Sequence, residues 1–172
     1  MHFGEKTNVC YQMLSSAYQI IQVGNYRCPD NFKVILRKYQ EEDFQIDYEY
    51  RCFYSAYDQM DDPADFEPLR DLVENIYTNE YLETLLPKWN AAIQEPDALM
   101  ALPLQRDFYA RNLKNVKERT VVIISDAMRY EVGKELFHRI QDDPKCTAKL
   151  EVQLGVLPSY TRLGMAALLP HT

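Results

Sequence analysis

Thr120-Val121-Val122-Ile123-Ile124 is an unbroken run of β-branched residues, bounded by Lys117-Glu118-Arg119 on one side and Ser125-Asp126 on the other. Such side chains favour extended backbone, and the run lacks the alternation of a strand with one wet face. It predicts a strand buried on both faces. Downstream, Met128, Val132, Leu136 and Ile140 step by four, a helix stripe that Asp142-Asp143-Pro144 ends. Leu150, Val152, Leu154 and Val156 then alternate with Lys149, Glu151, Gln153 and Gly155, the period of a half-buried strand. Pro158-Ser159-Tyr160-Thr161 turns, and a further helix begins near Leu163. Strand, helix, strand, helix is the start of a parallel, doubly wound sheet. Two strands cannot cover both faces of Val121–Ile124, so the remaining strands are expected beyond Thr172 or in a partner. The apolar ending Ala166-Ala167-Leu168-Leu169-Pro170-His171-Thr172 gives the same impression of a chain cut within a domain.

The residues before this region read differently. Val9, Met13, Leu14, Tyr18, Ile20 and Ile21 have helical spacing, and Gly24-Asn25 supplies a stop. Val34, Ile35, Leu36, Tyr39 and Phe44 predict a second helix, with Asp30 as its N-cap. Tyr50, Phe53, Tyr54 and Tyr57 share one face of a third. Asp61-Asp62-Pro63 breaks it, Pro68 fits the first turn of the next, and a pause is expected at Thr78-Asn79. Tyr81, Leu82, Leu85, Leu86, Trp89 and Ile93 form another stripe, with Pro87 as a kink or boundary. Pro96 and Pro103 bracket a connector, and residues 104–115 read as one more short helix. The expected organisation is an all-helical region over 1–117 followed by an unfinished parallel sheet over 118–172.

Composition narrows the function classes. Nineteen Lys and Arg against 26 Asp and Glu give a net charge of −7, so any nucleic-acid surface has to be local. Cys10, Cys28, Cys52 and Cys146 are scattered without a CxxC pair, which excludes a zinc ribbon and argues against a disulfide framework. No apolar run approaches the roughly 18–20 residues of a membrane span. The expectation is a protein of a reducing cytoplasm with no membrane partner.

In open α/β sheets ligands bind beyond the carboxyl ends of the strands. Asp126 and Thr161 stand at two such ends and share a rim if the strands are neighbours. Asp126 would emerge from a low-dielectric floor, where a hard cation or an Arg offsets its charge; equally, it could cap a helix beginning near Ala127. Thr161 is a helix N-cap on one reading. On the other it is a nucleophile, once a metal or base activates its hydroxyl. Arg129 and Arg162 each suit either a substrate oxyanion or a salt bridge, Arg129 also having Asp126 within reach. The aromatic face of residues 50–57 could stack bases or pack in a core, and the acidic 41–49 beside it favours the core. His2, His138 and His171 are isolated, and His138 is expected to be exposed.

Two segments taken together, Val122-Ile123-Ile124-Ser125-Asp126-Ala127-Met128-Arg129-Tyr130-Glu131 and Leu157-Pro158-Ser159-Tyr160-Thr161-Arg162-Leu163-Gly164-Met165-Ala166-Ala167-Leu168-Leu169-Pro170-His171, resemble the opening of the PglZ domain, a member of the alkaline phosphatase superfamily found in bacterial BREX phage-defence systems. The helical region resembles the segment before that domain in the class A form, through Asp47-Tyr48-Glu49-Tyr50-Arg51-Cys52-Phe53-Tyr54, Val73-Glu74-Asn75-Ile76-Tyr77 and Gln105-Arg106-Asp107-Phe108-Tyr109. The resemblance implies an alkaline-phosphatase-like parallel sheet, with Asp126 as a ligand to a divalent metal and Thr161 as the metal-activated nucleophile. Arg129 and Arg162 would serve the substrate. It implies hydrolysis of a phosphate mono- or diester with Zn²⁺, or with Mn²⁺ or Mg²⁺. The implied partners are other BREX components, with DNA or another phosphoester as substrate. The superfamily's remaining Asp and His ligands come from later strands, and His171 cannot replace them. These 172 residues are therefore expected to be inactive alone. A non-catalytic scaffold of the defence complex is the alternative. The negative charge is no obstacle to phosphate chemistry, because such an enzyme brings positive charge with its metal ions.

Overall fold

A computed structural model describes residues 3–95, 100 and 102–170. His2, Pro96 and His171 lie outside these residues. The chain divides into two units, Met1–Gln94 and Glu95–Thr172, and the change of composition near residue 117 lies inside the second. No helix among the described residues is long and apolar enough to cross a membrane.

The first unit is helical, as its periodicity predicts. Helix α1 (Phe3–Ile21) packs mainly on α3 (Phe44–Tyr57), and α4 (Glu67–Asn75) completes a core of Met13, Ala17, Ile20, Phe53, Ala56, Tyr57, Val73 and Ile76. Asn25, at φ 64°, makes the left-handed turn after α1, a conformation that Asn tolerates better than most residues. Its amide donates to Glu80 Oε2 at 2.7 Å.

Two local readings change. The N-cap of α2 (Phe32–Lys38) is Asn31, whose Oδ1 accepts from the amides of Lys33 and Val34 at 3.0 and 3.3 Å. The expected cap, Asp30, pairs instead with Lys88 at 2.9 Å. A cap must place its oxygen over the first-turn amides, and Asp30 stands one residue too early.

The second difference concerns the helices themselves. A π-helical segment at Tyr39–Asp43 joins α2 to α3, and another at Ile76–Leu82 joins α4 to α5 (Glu83–Ala92). The pause expected at Thr78-Asn79 is therefore a widened helix, and Pro87 lies within α5. A π turn rotates the side chains that follow it. Tyr39, from the first π segment, and Tyr77, from the second, both donate to Asp47, at 2.5 and 2.8 Å. Tyr26 donates at 2.5 Å to the buried Asp43, which Lys38 also meets.

The aromatic face of α3 is occupied internally. Phe53 is fully buried, Tyr50 stacks on Tyr77 with ring centres 3.7 Å apart, and the hydroxyls of Tyr50 and Tyr54 both donate to Glu74 at 2.6 Å. The base-stacking reading of this helix loses its platform.

The second unit departs further from expectation. It contains a 3₁₀ turn at Gln105–Asp107, then α6 (Phe108–Asn112), α7 (Tyr130–Gln141) and α8 (Thr161–Leu168). Helix is thus shorter in 104–115 than predicted. Val121–Ile124 forms no ladder among the described residues, and Val121, Val122 and Ile123 are exposed rather than buried on both faces. The α7 stripe is open too, with Met128, Val132 and Leu136 each more than two-fifths exposed. A strand exists through its neighbours' backbone, and a sheet-facing helix is covered only by the sheet.

The second predicted strand keeps its rhythm. Leu150, Val152, Leu154 and Val156 are half-buried and their alternating neighbours exposed. Its single parallel bridge among the described residues is Leu154 with Leu104, not with Val121–Ile124.

The tyrosine network predicts the pH range of stability. Burial, then the bond to Glu74, pushes the Tyr54 phenol up to about 12. The bonds from Tyr50 and Tyr54 hold Glu74 below the usual carboxylate range. A raised phenol stabilises the fold fully below about pH 10, its unfolded value, and that contribution is lost as pH rises through about 12. The lowered Glu74 contributes above its unfolded value of about 4.3 and loses this as pH falls. Thermal melts across pH should show both limbs, and Glu74→Gln should shrink both. Tyrosinate absorbance reaching full amplitude near pH 10 with the fold intact would contradict the assignment.

Candidate functional site

Asp126 and Thr161 lie far apart in sequence and close in space. Thr161 Oγ1 donates to the Asp126 carboxylate, 3.2 Å from Oδ2 and 3.4 Å from Oδ1. Both residues are exposed, as a group that must meet a substrate has to be. A shared rim is expected only where the strands before them are neighbours, and among the described residues those segments are not paired with each other; the two side chains meet all the same.

The backbone shows how each is presented. Asp126 does not cap a helix: α7 begins at Tyr130, its N-cap is Arg129, and Ala127 between them takes a left-handed φ of 54°. That turn separates the carboxylate from the helix and leaves it free to face Thr161. Nor does Thr161 cap α8. Tyr160 occupies that position, extended at φ −118° and ψ 151°, and its carbonyl accepts from the Gly164 amide at 3.0 Å. Thr161 is thus the first helical residue, at the end where unpaired amides and the helix dipole favour negative charge.

The flanking residues separate into two kinds. Arg129 and Arg162 are exposed, and among the described residues neither forms an ion pair. Among the described residues Arg129 meets neither Asp126 nor another carboxylate. His138 is exposed, as expected, on α7. Glu131, by contrast, is 2% exposed, a buried carboxylate that residue spacing could not distinguish from a solvated one.

Asp126 and Thr161 offer two hard oxygen donors side by side, chemistry suited to a divalent cation. Among the described residues no group of three or more His, Cys, Asp or Glu is placed to hold a metal. The pair therefore fits part of a divalent site and not the whole of one. The low-dielectric floor expected beneath Asp126 is also missing, since Val121–Ile123 is exposed.

Residues 107–172 match the family described as the BREX system PglZ alkaline phosphatase-like domain, a family that generally uses divalent metals. The chain is 40% identical, over 98% of its length, to an alkaline phosphatase-like protein PglZ of Bacillus cereus (strain H3081.97), of which it covers 21%. It is 37% identical, over 94% of its length, to an alkaline phosphatase-like protein BrxZ of Escherichia coli O9:H4 (strain HS), of which it covers 20%. The chain thus spans about a fifth of the length of these curated relatives. No solved structure matches it significantly.

The left-handed Ala127 gives a direct test of the rim's backbone. An L-residue with a Cβ costs roughly 1–2 kcal/mol in this conformation, partly offset for Gly by the freedom it adds to the unfolded chain. Ala127→Gly should therefore stabilise the second unit by up to about 1 kcal/mol. Ala127→Val should destabilise it, both read as shifts in urea midpoint.

Proposed function

We propose that this chain, similar over nearly its whole length to two PglZ-type relatives and matching the PglZ alkaline phosphatase-like domain over residues 107–172, is part of such a protein and supplies the nucleophile and one metal ligand of a metal-dependent phosphoesterase. The observation that carries the reading is the approach of Thr161 Oγ1 to Asp126 at the start of α8. In the proposed reaction the Thr161 oxygen attacks the phosphorus of a mono- or diester in line. The bond to the leaving alcohol breaks as the Thr161 Oγ–P bond forms, and water then hydrolyses the phosphothreonine.

Asp126 and Thr161 would hold a divalent ion, Zn²⁺ or else Mn²⁺ or Mg²⁺, with further ligands from outside the described residues. When bound, that ion supplies the Lewis acidity that makes a threonine hydroxyl a competent nucleophile. Asp126 holds the hydroxyl proton and orients Oγ1, and the N-terminus of α8 favours the alkoxide as it develops. Arg129 and Arg162, charged and exposed, serve the phosphoryl oxygens. The setting is antiviral defence in the bacterial cytoplasm with other BREX components, and the natural ester is DNA or another phosphoester. Alone, the 172 residues are inactive, because two oxygens do not make a two-metal site.

The test is hydrolysis of an aryl phosphate ester by the polypeptide of the complete reading frame, with Zn²⁺ or Mn²⁺ added. Thr161→Ala and Asp126→Asn should each lower kcat/KM by at least about 10²-fold, and a chelator should abolish turnover. Full activity in Thr161→Ala would sink the nucleophile assignment.

A second reading, a scaffold for other defence components, has one observation in its favour. Tyr11, Leu14 and Tyr18 are 68%, 42% and 60% exposed at helical spacing along α1. If this face docks a BREX component, Tyr11→Ser with Tyr18→Ser should abolish co-purification with that component and leave ester hydrolysis unchanged.

A further inference from the structure

The side chain of Gln105 joins the two ends of the loop that delivers Thr161. Its origin is a short parallel pairing: the Leu154 amide donates to Pro103 O at 2.8 Å, and the Gln105 amide donates to Leu154 O at 2.9 Å. That pairing sets Gln105 alongside the segment's end. Its Oε1 accepts from the Val156 amide at 3.0 Å, and its Nε2 donates to Gly164 O at 3.1 Å. Gly155 and Gly164 lie directly against this amide, which stands 3.5 Å from where a Cβ would be at each. One half-buried side chain thus ties the last residue of the extended segment to the first turn of α8. Thr161 lies between the two ties.

We propose that Gln105 is a positioning residue for the Thr161 hydroxyl, setting where the first turn of α8, and hence Oγ1, stands relative to Asp126. The proposal rests on the reading of Thr161 as nucleophile. In-line attack tolerates little displacement, and a misplacement of about 1 Å can cost about 10²-fold in rate. Both ties need an acceptor and a donor on one planar group at this side-chain length. Gln alone provides this: Glu keeps only the acceptor, Met keeps only the shape, and Asn is a methylene short. Gln105 itself precedes the residues that match the family, 107–172, while both of its partners, Val156 and Gly164, lie within them.

The experiment compares Gln105→Met and Gln105→Glu in the complete reading-frame polypeptide with Zn²⁺ and an aryl phosphate ester. It also follows amide hydrogen exchange in the 172-residue protein. Expected for Gln105→Met are a fall in kcat of about tenfold with KM unchanged, faster exchange at Val156 and the first turn of α8, and little change in thermal midpoint. Gln105→Glu should keep the slow exchange at Val156 and recover part of kcat. Wild-type kcat with unchanged exchange in Gln105→Met would overturn the proposal. So would a general rise in exchange across the second unit with a large drop in midpoint, the mark of a role in stability alone. If the wild type hydrolyses no ester under any metal, the phosphoesterase reading falls on its own. The exchange data then still decide the clamp, and unchanged exchange at α8 in Gln105→Met overturns it.

Discussion

The phenols of Tyr39 and Tyr77, one from each π-helical segment, converge on the Asp47 carboxylate, and the arrangement of the helical unit follows from keeping such groups paired. A buried carboxylate such as Asp43 is expensive unless hydrogen-bond donors surround it; Asp47 is half-buried and Glu74 is exposed, and both are paired as well. Here the donors are tyrosines, which bring ring area for packing together with one hydroxyl each. Asp43 takes Tyr26 and Lys38, Asp47 takes Tyr39 and Tyr77, and Glu74 takes Tyr50 and Tyr54. The bonds from Tyr26, Tyr77, Tyr50 and Tyr54 join residues 17 to 30 apart in sequence, so they set which helix faces lie together. The apolar core of Met13, Ile20, Phe53 and Val73 then fills the space between.

The second unit shows the opposite situation, in which a strong local preference lacks its complement. Among the described residues Val121–Ile124 has the composition of a central strand and no ladder, and α7 has an apolar stripe and no sheet beneath it. The relatives are about five times longer than this chain, in keeping with apolar surface made to be covered by other parts of a domain. The rim nevertheless holds together. The turn at Ala127 and the cap at Tyr160 are local features that present Asp126 and Thr161, which stand within hydrogen-bond range.

The helices of the first unit were legible because a buried stripe repeats every three or four residues, as in Tyr50, Phe53, Tyr54 and Tyr57. Asp126 and Thr161 were legible as a pair because each follows an apolar segment at its carboxyl end, where α/β folds place ligands. Their capping roles were misread: a cap depends on a one-residue register that composition does not encode, as Asn31 in place of Asp30 also shows. Gln105 was legible only as a polar residue of the short helix expected over 104–115 and of a stretch resembling the family, with nothing to mark a role for its side chain. Its importance comes from Val156 and Gly164, some fifty residues away or more.

By itself, then, the amino-acid order determined the helical character of the first unit, the change of composition near 117, and the placing of Asp126 and Thr161 each after an apolar segment. Each is carried by neighbours along the chain. Tertiary structure alone decided that the helices widen into π turns where Tyr39 and Tyr77 reach Asp47, that Leu154 pairs with Leu104, and that Gln105 spans the Thr161 loop. Those features are hydrogen bonds between distant residues. Such bonds leave no periodic trace in a sequence, because their partners are chosen by the path of the folded chain.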